Sequence, residues 1–326
     1  MFRSAKTKQK RTDDQKVIMA RSTGIAPPRL RKRRVLAKSG ALSQDGNKPK
    51  HLIFKQFLNN QPLKLTFKNG QGACAIQVDH SVDLSGALNQ IGLHGSRPVL
   101  VVVGGASKMS DQSMARLRLL FINVLAPIAE TLGACVVDGG TDTGVMQMMG
   151  QARAEIAGTF PLVGIAPVGK IALPDAPPSS SDQTSLEPNH THFVLIPGST
   201  WGDESPWLAR IATTLAYEKP SVTVMANGGA ITLLDLFENK KAGRPLVVLG
   251  GSGRLADEIT MAVRYPEQEA RESVTELLQE NHFQQNQLTC FDLSQPFSEL
   301  TKIIIEGLTR QSMYTLKSTL TAHRLS

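Results

Sequence analysis

From residue 98 onward the chain repeats one unit: a short apolar run, a glycine-rich turn, and a segment whose apolar residues recur at helical spacing. Apolar runs at 98–103, 135–137, 162–166, 193–196, 222–226 and 245–249 predict strands. Between the first two, Met114, Leu117, Leu120, Val124, Ile128 and Leu132 keep to one face of a helix. Further helices are predicted at 143–157, 203–218 (with Trp207, Ile211 and Leu215 on its apolar side), 231–241 and 253–263. Strands separated by helices pair in parallel, because each connection must cross over before the next strand is laid down. The expected fold class is therefore α/β, a parallel sheet with helices on both faces. Only 5% of the residues are aromatic, so the core must be built from Val, Ile, Leu, Ala and Met, the usual filling of strands buried on both faces.

The rest of the chain flanks this repeat. Leu63-Lys64-Leu65-Thr66-Phe67 alternates apolar and polar residues, Asn69-Gly70-Gln71-Gly72 supplies a turn, and Ala73-Cys74-Ala75-Ile76-Gln77-Val78 completes a small β-hairpin. Leu84, Leu88 and Ile91 mark a short helix over 84–93, and a long Pro/Ser-rich loop is expected at 170–189. Residues 272–323 read as two helices around a short strand at 288–293, packed on the sheet edge. The chain thus divides into a tail at 1–50, a hairpin and helix segment at 51–95, the main domain at 96–266 and a helical extension at 267–326.

Charge is distributed unevenly. Residues 1–38 hold 13 Lys or Arg against Asp13 and Asp14, which leaves 23 basic and 26 acidic residues for 39–326. The net charge of +8 therefore belongs to a disordered basic tail whose densest run is Arg29-Leu30-Arg31-Lys32-Arg33-Arg34. Such a run either anchors nucleic acid or anionic lipid or is a solvated tail without a dedicated partner. Cys74, Cys135 and Cys290 are too far apart for a disulfide framework or a CxxC metal site. No run approaches the roughly 20 apolar residues of a membrane span, and no apolar signal region stands at the start, so a cytoplasmic location is expected.

Four glycine-rich turns each follow a predicted strand and precede a predicted helix: Gly104-Gly105-Ala106-Ser107, Gly139-Gly140-Thr141-Asp142-Thr143-Gly144, Asn227-Gly228-Gly229-Ala230 and Gly250-Gly251-Ser252-Gly253. In an open α/β sheet such turns share the carboxyl edge of the strands, where ligands bind. Glycine lets the backbone approach an anion, and the next helix offers free N–H groups and the positive end of its dipole. The turns thus predict a pocket for a phosphate-bearing ligand. No GxxxxGK[ST] is present, which argues against a P-loop NTPase, and no GxGxxG follows the first strand with a suitable acidic residue downstream, which leaves hydride transfer with NAD unsupported.

The order of motifs resembles a known family. Val102-Val103-Gly104-Gly105-Ala106, the turn from Asp138 to Met146, Gly164-Ile165-Ala166-Pro167-Val168-Gly169, Asn189-His190-Thr191-His192-Phe193 and the stretch from Gly250 to Asp257 look like the LSDAT domain, across roughly residues 95–265. That domain is the amino-terminal region of melastatin-type TRPM channels and their prokaryotic relatives, within the SLOG superfamily. The resemblance implies a Rossmann-like doubly wound sheet that senses a nucleotide-derived ligand, with ADP-ribose, NAD and related metabolites foremost and no cofactor required. The same superfamily includes LOG-type phosphoribohydrolases, marked by PGGxGTxxE with the glutamate at the hydrolytic site. Here Asn227, Ile231 and Asp235 replace the proline, the third glycine and the glutamate, while Gly228, Gly229 and Thr232 match. Those departures shift the balance from hydrolysis towards recognition.

The expected ligand-binding set is Gly104, Gly105, Ala106, Gly139, Gly140, Thr141, Thr143, Gly144, Gly169, His190, Glu204, Gly228, Gly229, Thr232, Gly251, Ser252, Gly253 and Arg254. Thr141, Thr143, Thr232 and Arg254 would donate to phosphate or ribose, the guanidinium bidentately. His190 and His192, two apart, would point to one side of an extended segment and shape the rim; no third ligand stands near, so no metal is expected. Glu204 either caps its helix or accepts from a ribose hydroxyl. Arg210, Trp201 and Trp207 each read equally as pocket or packing residues. If the protein is an enzyme, Asp235 or Glu204 is the acidic group that cleaves an N-glycosidic bond. The remaining alternative is nucleic-acid binding through the basic tail, and a homo-oligomer is left open.

Overall fold

The computed structural model describes residues 61–174, 176, 180–279 and 287–310. The basic tail with its 29–34 run, and the end of the predicted C-terminal helix, lie outside the described residues.

Nine strands form one sheet in the order β1-β2-β8-β5-β4-β3-β9-β10-β11. Its centre is β3 (Val99–Gly104), flanked on one side by β4 (Cys135–Asp138), β5 (Leu162–Pro167) and β8 (His192–Ile196). On the other side stand β9 (Ser221–Ala226), β10 (Leu246–Gly250) and β11 (Leu288–Asp292). All of these pairings are parallel. The predicted hairpin forms as β1 (Leu63–Thr66) and β2 (Gly72–Gln77), paired antiparallel. Its second strand joins β8 in parallel, so the hairpin extends the sheet.

Helices cover both faces. On one lie α1 (Leu84–Gln90), α5 (Ser205–Ala216), α6 (Ala230–Lys241), α7 (Arg254–Arg264) and α8 (Glu272–Leu278). On the other lie α2 (Asp111–Leu120), α3 (Ala126–Leu132), α4 (Gly144–Glu155) and α9 (Phe297–Thr309). The alternation of a strand divides β3 between them: Val99, Val101 and Val103 enter the first core, Leu100 and Val102 the second. Together these features make the Rossmann-like doubly wound architecture that the repeat predicts.

Two departures have local causes. The predicted helix through Met114 and Leu132 is interrupted by a π-helical turn at Phe121–Leu125, where the Ala126 N–H donates to the Phe121 carbonyl. The next residue is Pro127, which has no N–H to continue the i to i−4 ladder, and the wider turn absorbs that gap. The predicted 170–189 loop contains two short paired strands, β6 (Ile171–Ala172) and β7 (Thr184–Ser185). Among the described residues no helix is long and apolar enough to cross a membrane.

Candidate functional site

The strand order reverses at β3: the chain builds outward through β4 and β5 on one side and through β9 and β10 on the other. The connections leaving the two central strands therefore part above their carboxyl ends and open a crevice. The four glycine-rich turns lie along this edge, after β3, β4, β9 and β10.

Close backbone packing holds the turns together. Gly104 has φ +138°, and a Cβ there would overlap the Ala226 carbonyl oxygen on the neighbouring strand. A Cβ on Gly144 would come within 3.4 Å of the Gly105 Cα, so the first two turns touch. Asn227, buried with φ +56°, ties the rest. Its Nδ2 donates to the Ser107 carbonyl (3.2 Å) and the Ser252 carbonyl (2.8 Å), and its N–H donates to Ser252 Oγ (2.7 Å). Its own carbonyl accepts from Ala256 N–H on α7 (2.9 Å). Arg254, also at positive φ (+52°), spans the crevice: Nη1 donates to Ser107 Oγ (2.7 Å) and the guanidinium lies over Gly229.

Three of the helices that start on this edge without a side-chain cap leave directly from glycine-rich turns: α4 after Thr143, α6 after Gly229 and α7 after Gly253. Helix α2, by contrast, is capped by Ser110, whose hydroxyl accepts from Ser113 N–H (3.1 Å). Helices α4 and α6 leave the N–H groups of their first turn without a side-chain partner, α7 does so except at Ala256, whose N–H is held by the Asn227 carbonyl, and the positive end of each dipole lies at this edge. Such an arrangement suits an anion with several oxygens.

The other predicted residues fall in different places. Ala106 stays on the first turn and packs partly against the second core. Thr232 is buried over Gly228. Ser252 is fully buried and its hydroxyl is spent on the Asn227 N–H and the Leu249 carbonyl. Gly169 lies at the end of β5, bonded to the Gly198 carbonyl (3.0 Å) on the turn after β8, two strands from the crevice. Thr141 is buried and bridges to Leu186.

Glu204 and Asp235, far apart in sequence, meet between α5 and α6. Asp235 Oδ1 accepts from Ser205 Oγ (2.6 Å), and Glu204 Oε2 accepts from Gly202 N–H (2.8 Å). Burial pushes the Asp235 carboxyl up to about 7, and the Glu204 charge adds to the effect. Burial also raises Glu204 above the usual carboxylate range.

His190 is 1% exposed and lies beneath the second turn, not on a rim. Its Nε2 meets Asp138 Oδ1 (2.8 Å) and its Nδ1 meets Glu187 Oε2 (2.7 Å). Burial opposes its charge, but the two carboxylates outweigh burial and lift its pKa to about 9. His192 turns elsewhere: its Nδ1 contacts Thr191 Oγ1 (2.7 Å), and burial lowers it to about 4. The two histidines thus carry different charges and share no ligand.

Asp138, Glu187 and Ser107 stand outside the predicted ligand-binding set, and Asn227 entered the sequence reading only as a departure from the LOG-type motif. Asn227 had a signal, since Asn is among the few side chains tolerated at positive φ and it precedes two glycines. The pairing of Asp138 with Glu187 through His190 had none.

Known proteins match this region. The family model described as SLOG in TRPM, prokaryote, covers residues 97–300, and so includes β11 and the start of α9. The rat transient receptor potential cation channel subfamily M member 2 is 28% identical over 203 residues, which is 52% of this chain and 13% of the channel. The subfamily M member-like 2 channel of Nematostella vectensis is 31% identical over 204 residues, again 13% of its length. Human subfamily M member 6 is 28% identical over 190 residues, 9% of its length. This chain therefore spans a small part of the curated relatives it matches. With a doubly wound sheet, glycine turns meeting at its switch point and a family match over more than half its length, the chain belongs to the prokaryotic SLOG-in-TRPM family.

Proposed function

We propose that this protein is a ligand sensor that binds a nucleotide-derived molecule of the ADP-ribose or NAD-metabolite type in the glycine crevice. The observation that carries the reading is the convergence of three uncapped helix N-termini with Arg254 laid across the opening. Free N–H donors and a guanidinium fork together favour a diphosphate, whose oxygens are numerous and doubly charged. Thr143 and Thr232 stand near enough to the same turns to add hydroxyl contacts to phosphate or ribose. The proposal takes no channel activity from the relatives. Three free cysteines, with Cys135 pushed up to about 12 by burial, support the proposed cytoplasmic location.

Thermal unfolding with a panel of nucleotides tests the reading. ADP-ribose at 100 times its Kd should stabilise the fold by about 2.7 kcal/mol, a melting shift of roughly 5–10 °C for a body of this size. Arg254→Ala should lose most of that shift while melting normally without ligand. A panel with no shift at millimolar concentrations overturns the proposal.

The Glu204–Asp235 pair favours a second reading, cleavage of a nucleotide's N-glycosidic bond, because an acid with pKa near 7 can hold or give up a proton at neutral pH. Release of free base from nucleoside monophosphates or NAD, abolished in Asp235→Ala, would establish it. Intact nucleotide recovered from a tight complex would rule it out.

A further inference from the structure

The Asp138–His190–Glu187 cluster is absorbed neither by the proposed phosphate cradle nor by packing alone. Asp138 ends β4 and Oδ1 accepts two donors, the Gly140 N–H (2.7 Å) and His190 Nε2 (2.8 Å). Glu187 comes from the segment 184–190, which lies across the second glycine turn like a strap. Two backbone hydrogen bonds join the two, Glu187 N–H to Gly140 O (3.0 Å) and Asp142 N–H to Ser185 O (2.8 Å), and together they form the antiparallel bridge between Thr141 and Leu186. Glu187 also accepts from Asn189 N–H (2.9 Å) and Asn189 Nδ2 (2.6 Å). Phe193 of β8 stacks on the imidazole with centroids 5.3 Å apart. Two carboxylates face this ring, and the nearby cation is Arg153 of α4, which interacts with Glu187 and donates to the Asn189 carbonyl (3.5 Å).

We propose that His190 is a positioning residue for the glycine crevice: by joining Asp138 to Glu187 it locks the 139–144 turn to the strap and so fixes the direction of the turn's N–H groups. A neutral imidazole has one N–H and can donate to only one carboxylate, whereas the imidazolium donates to both. The lock is therefore closed while the ring is charged, and its raised pKa keeps it closed at neutral pH. Its folded pKa of about 9 stands above the ordinary 6.5, so the clamp's stabilisation is complete below about pH 6.5 and is lost as pH rises through 9. Losing the proton also leaves a single imidazole N–H between the two buried carboxylates, so one of them is left to its other donors, and the Gly140 N–H bond to Asp138 loosens with it.

The effect on affinity rests on the phosphate-cradle reading; the effect on the turn does not. Nuclear magnetic resonance of the full chain without ligand should show the Gly140 amide and the His190 ring nitrogens titrating with one midpoint near pH 9. Glu187→Gln, nearly isosteric, removes one facing carboxylate and should move both midpoints together by about one pH unit downward. ADP-ribose affinity should fall about tenfold across the wild-type midpoint, and the fall should move with the midpoint in Glu187→Gln. A Gly140 amide that ignores the His190 titration overturns the proposal, and so does an affinity that stays flat while both groups titrate. Co-titration in a protein that binds no ADP-ribose at any pH would support the lock and sink the phosphate reading instead.

Discussion

Asp235 shows what burial does to a carboxyl when no cation answers it. Its side chain is enclosed between α5 and α6 and rests on the Ser205 hydroxyl, and the neighbouring charge that acts on it is another carboxylate, Glu204. The folded-state pKa of about 7 exceeds the ordinary 3.8, so folding favours the neutral form. Stability from this site is greatest below about pH 4, declines as pH rises towards 7, and is level above it. Across that window the loss is on the order of 2–4 kcal/mol, at about 1.4 kcal/mol for each pH step. Asp235→Asn keeps an acceptor for Ser205 and removes the titration. It should be more stable than the wild type at pH 8 by roughly that amount, with the gain shrinking towards zero at pH 4. Urea unfolding at the two pH values checks this, and an equal difference at both would rule it out. Asn227 makes a complementary point about reading single residues. In the sequence it stands where LOG-type enzymes have proline, and that departure reads as weakened catalysis. In the structure its φ is +56°, whereas proline is fixed near −65°, so the substitution also records a different backbone path into α6.

Among the elements, those legible in the sequence were the ones whose signal is local. β3, β9 and β10 are continuous apolar runs, and their helices keep one apolar face, so length and period were enough. The π-helical turn was not legible because apolar spacing survives a one-residue slip; Pro127 was the available clue. The pairing of β2 with β8 and the strap over the second turn depend on partners more than 40 residues away, and no local pattern encodes those. The C-terminal elements are held by one such distant contact. Arg116 on α2 donates Nη2 to the Gln295 carbonyl (2.6 Å) and Nε to the Leu293 carbonyl, and its guanidinium lies 4.8 Å from the Phe297 ring centre. It thereby fastens the connection between β11 and α9 to a helix of the main repeat. Arg116→Ala should destabilise the fold by about 2 kcal/mol, with amide exchange rising in β11 and α9 before it rises in β3. Uniform exchange through the sheet would show that the contact supports the whole fold and not this element.

At the scale of the molecule, topology decides where a ligand can act. A cavity of about 600 Å³ lies between α1, α5 and α6, lined by Ser85, Arg210, Thr213 and Lys241 among others. None of the turn glycines lines it. Its walls are helix surfaces with charges of both signs, Asp83 and Glu238 against Arg210 and Lys241. The crevice differs because it exists wherever a doubly wound sheet reverses its order, and here the first and third turns meet across that reversal through Asn227. A diphosphate bound there would bridge the two halves of the sheet at their carboxyl edge, adding to the β3–β9 ladder, to α5 packed on β3, β4 and β9, and to the Arg116 contacts. Hydrogen exchange with and without ADP-ribose should therefore show protection in four separated stretches at once: 104–107, 139–144, 228–232 and 251–256. Protection should extend down β3 and β9, whose opening requires the turns to part, and should leave Val82–Ser85 unchanged. Protection confined to α1, α5 and the Lys241 end of α6 would move the binding site to the cavity between those helices. In that case the glycine turns would be corners that the sheet needs to close on itself, and the uncapped helix ends would have water as their partner.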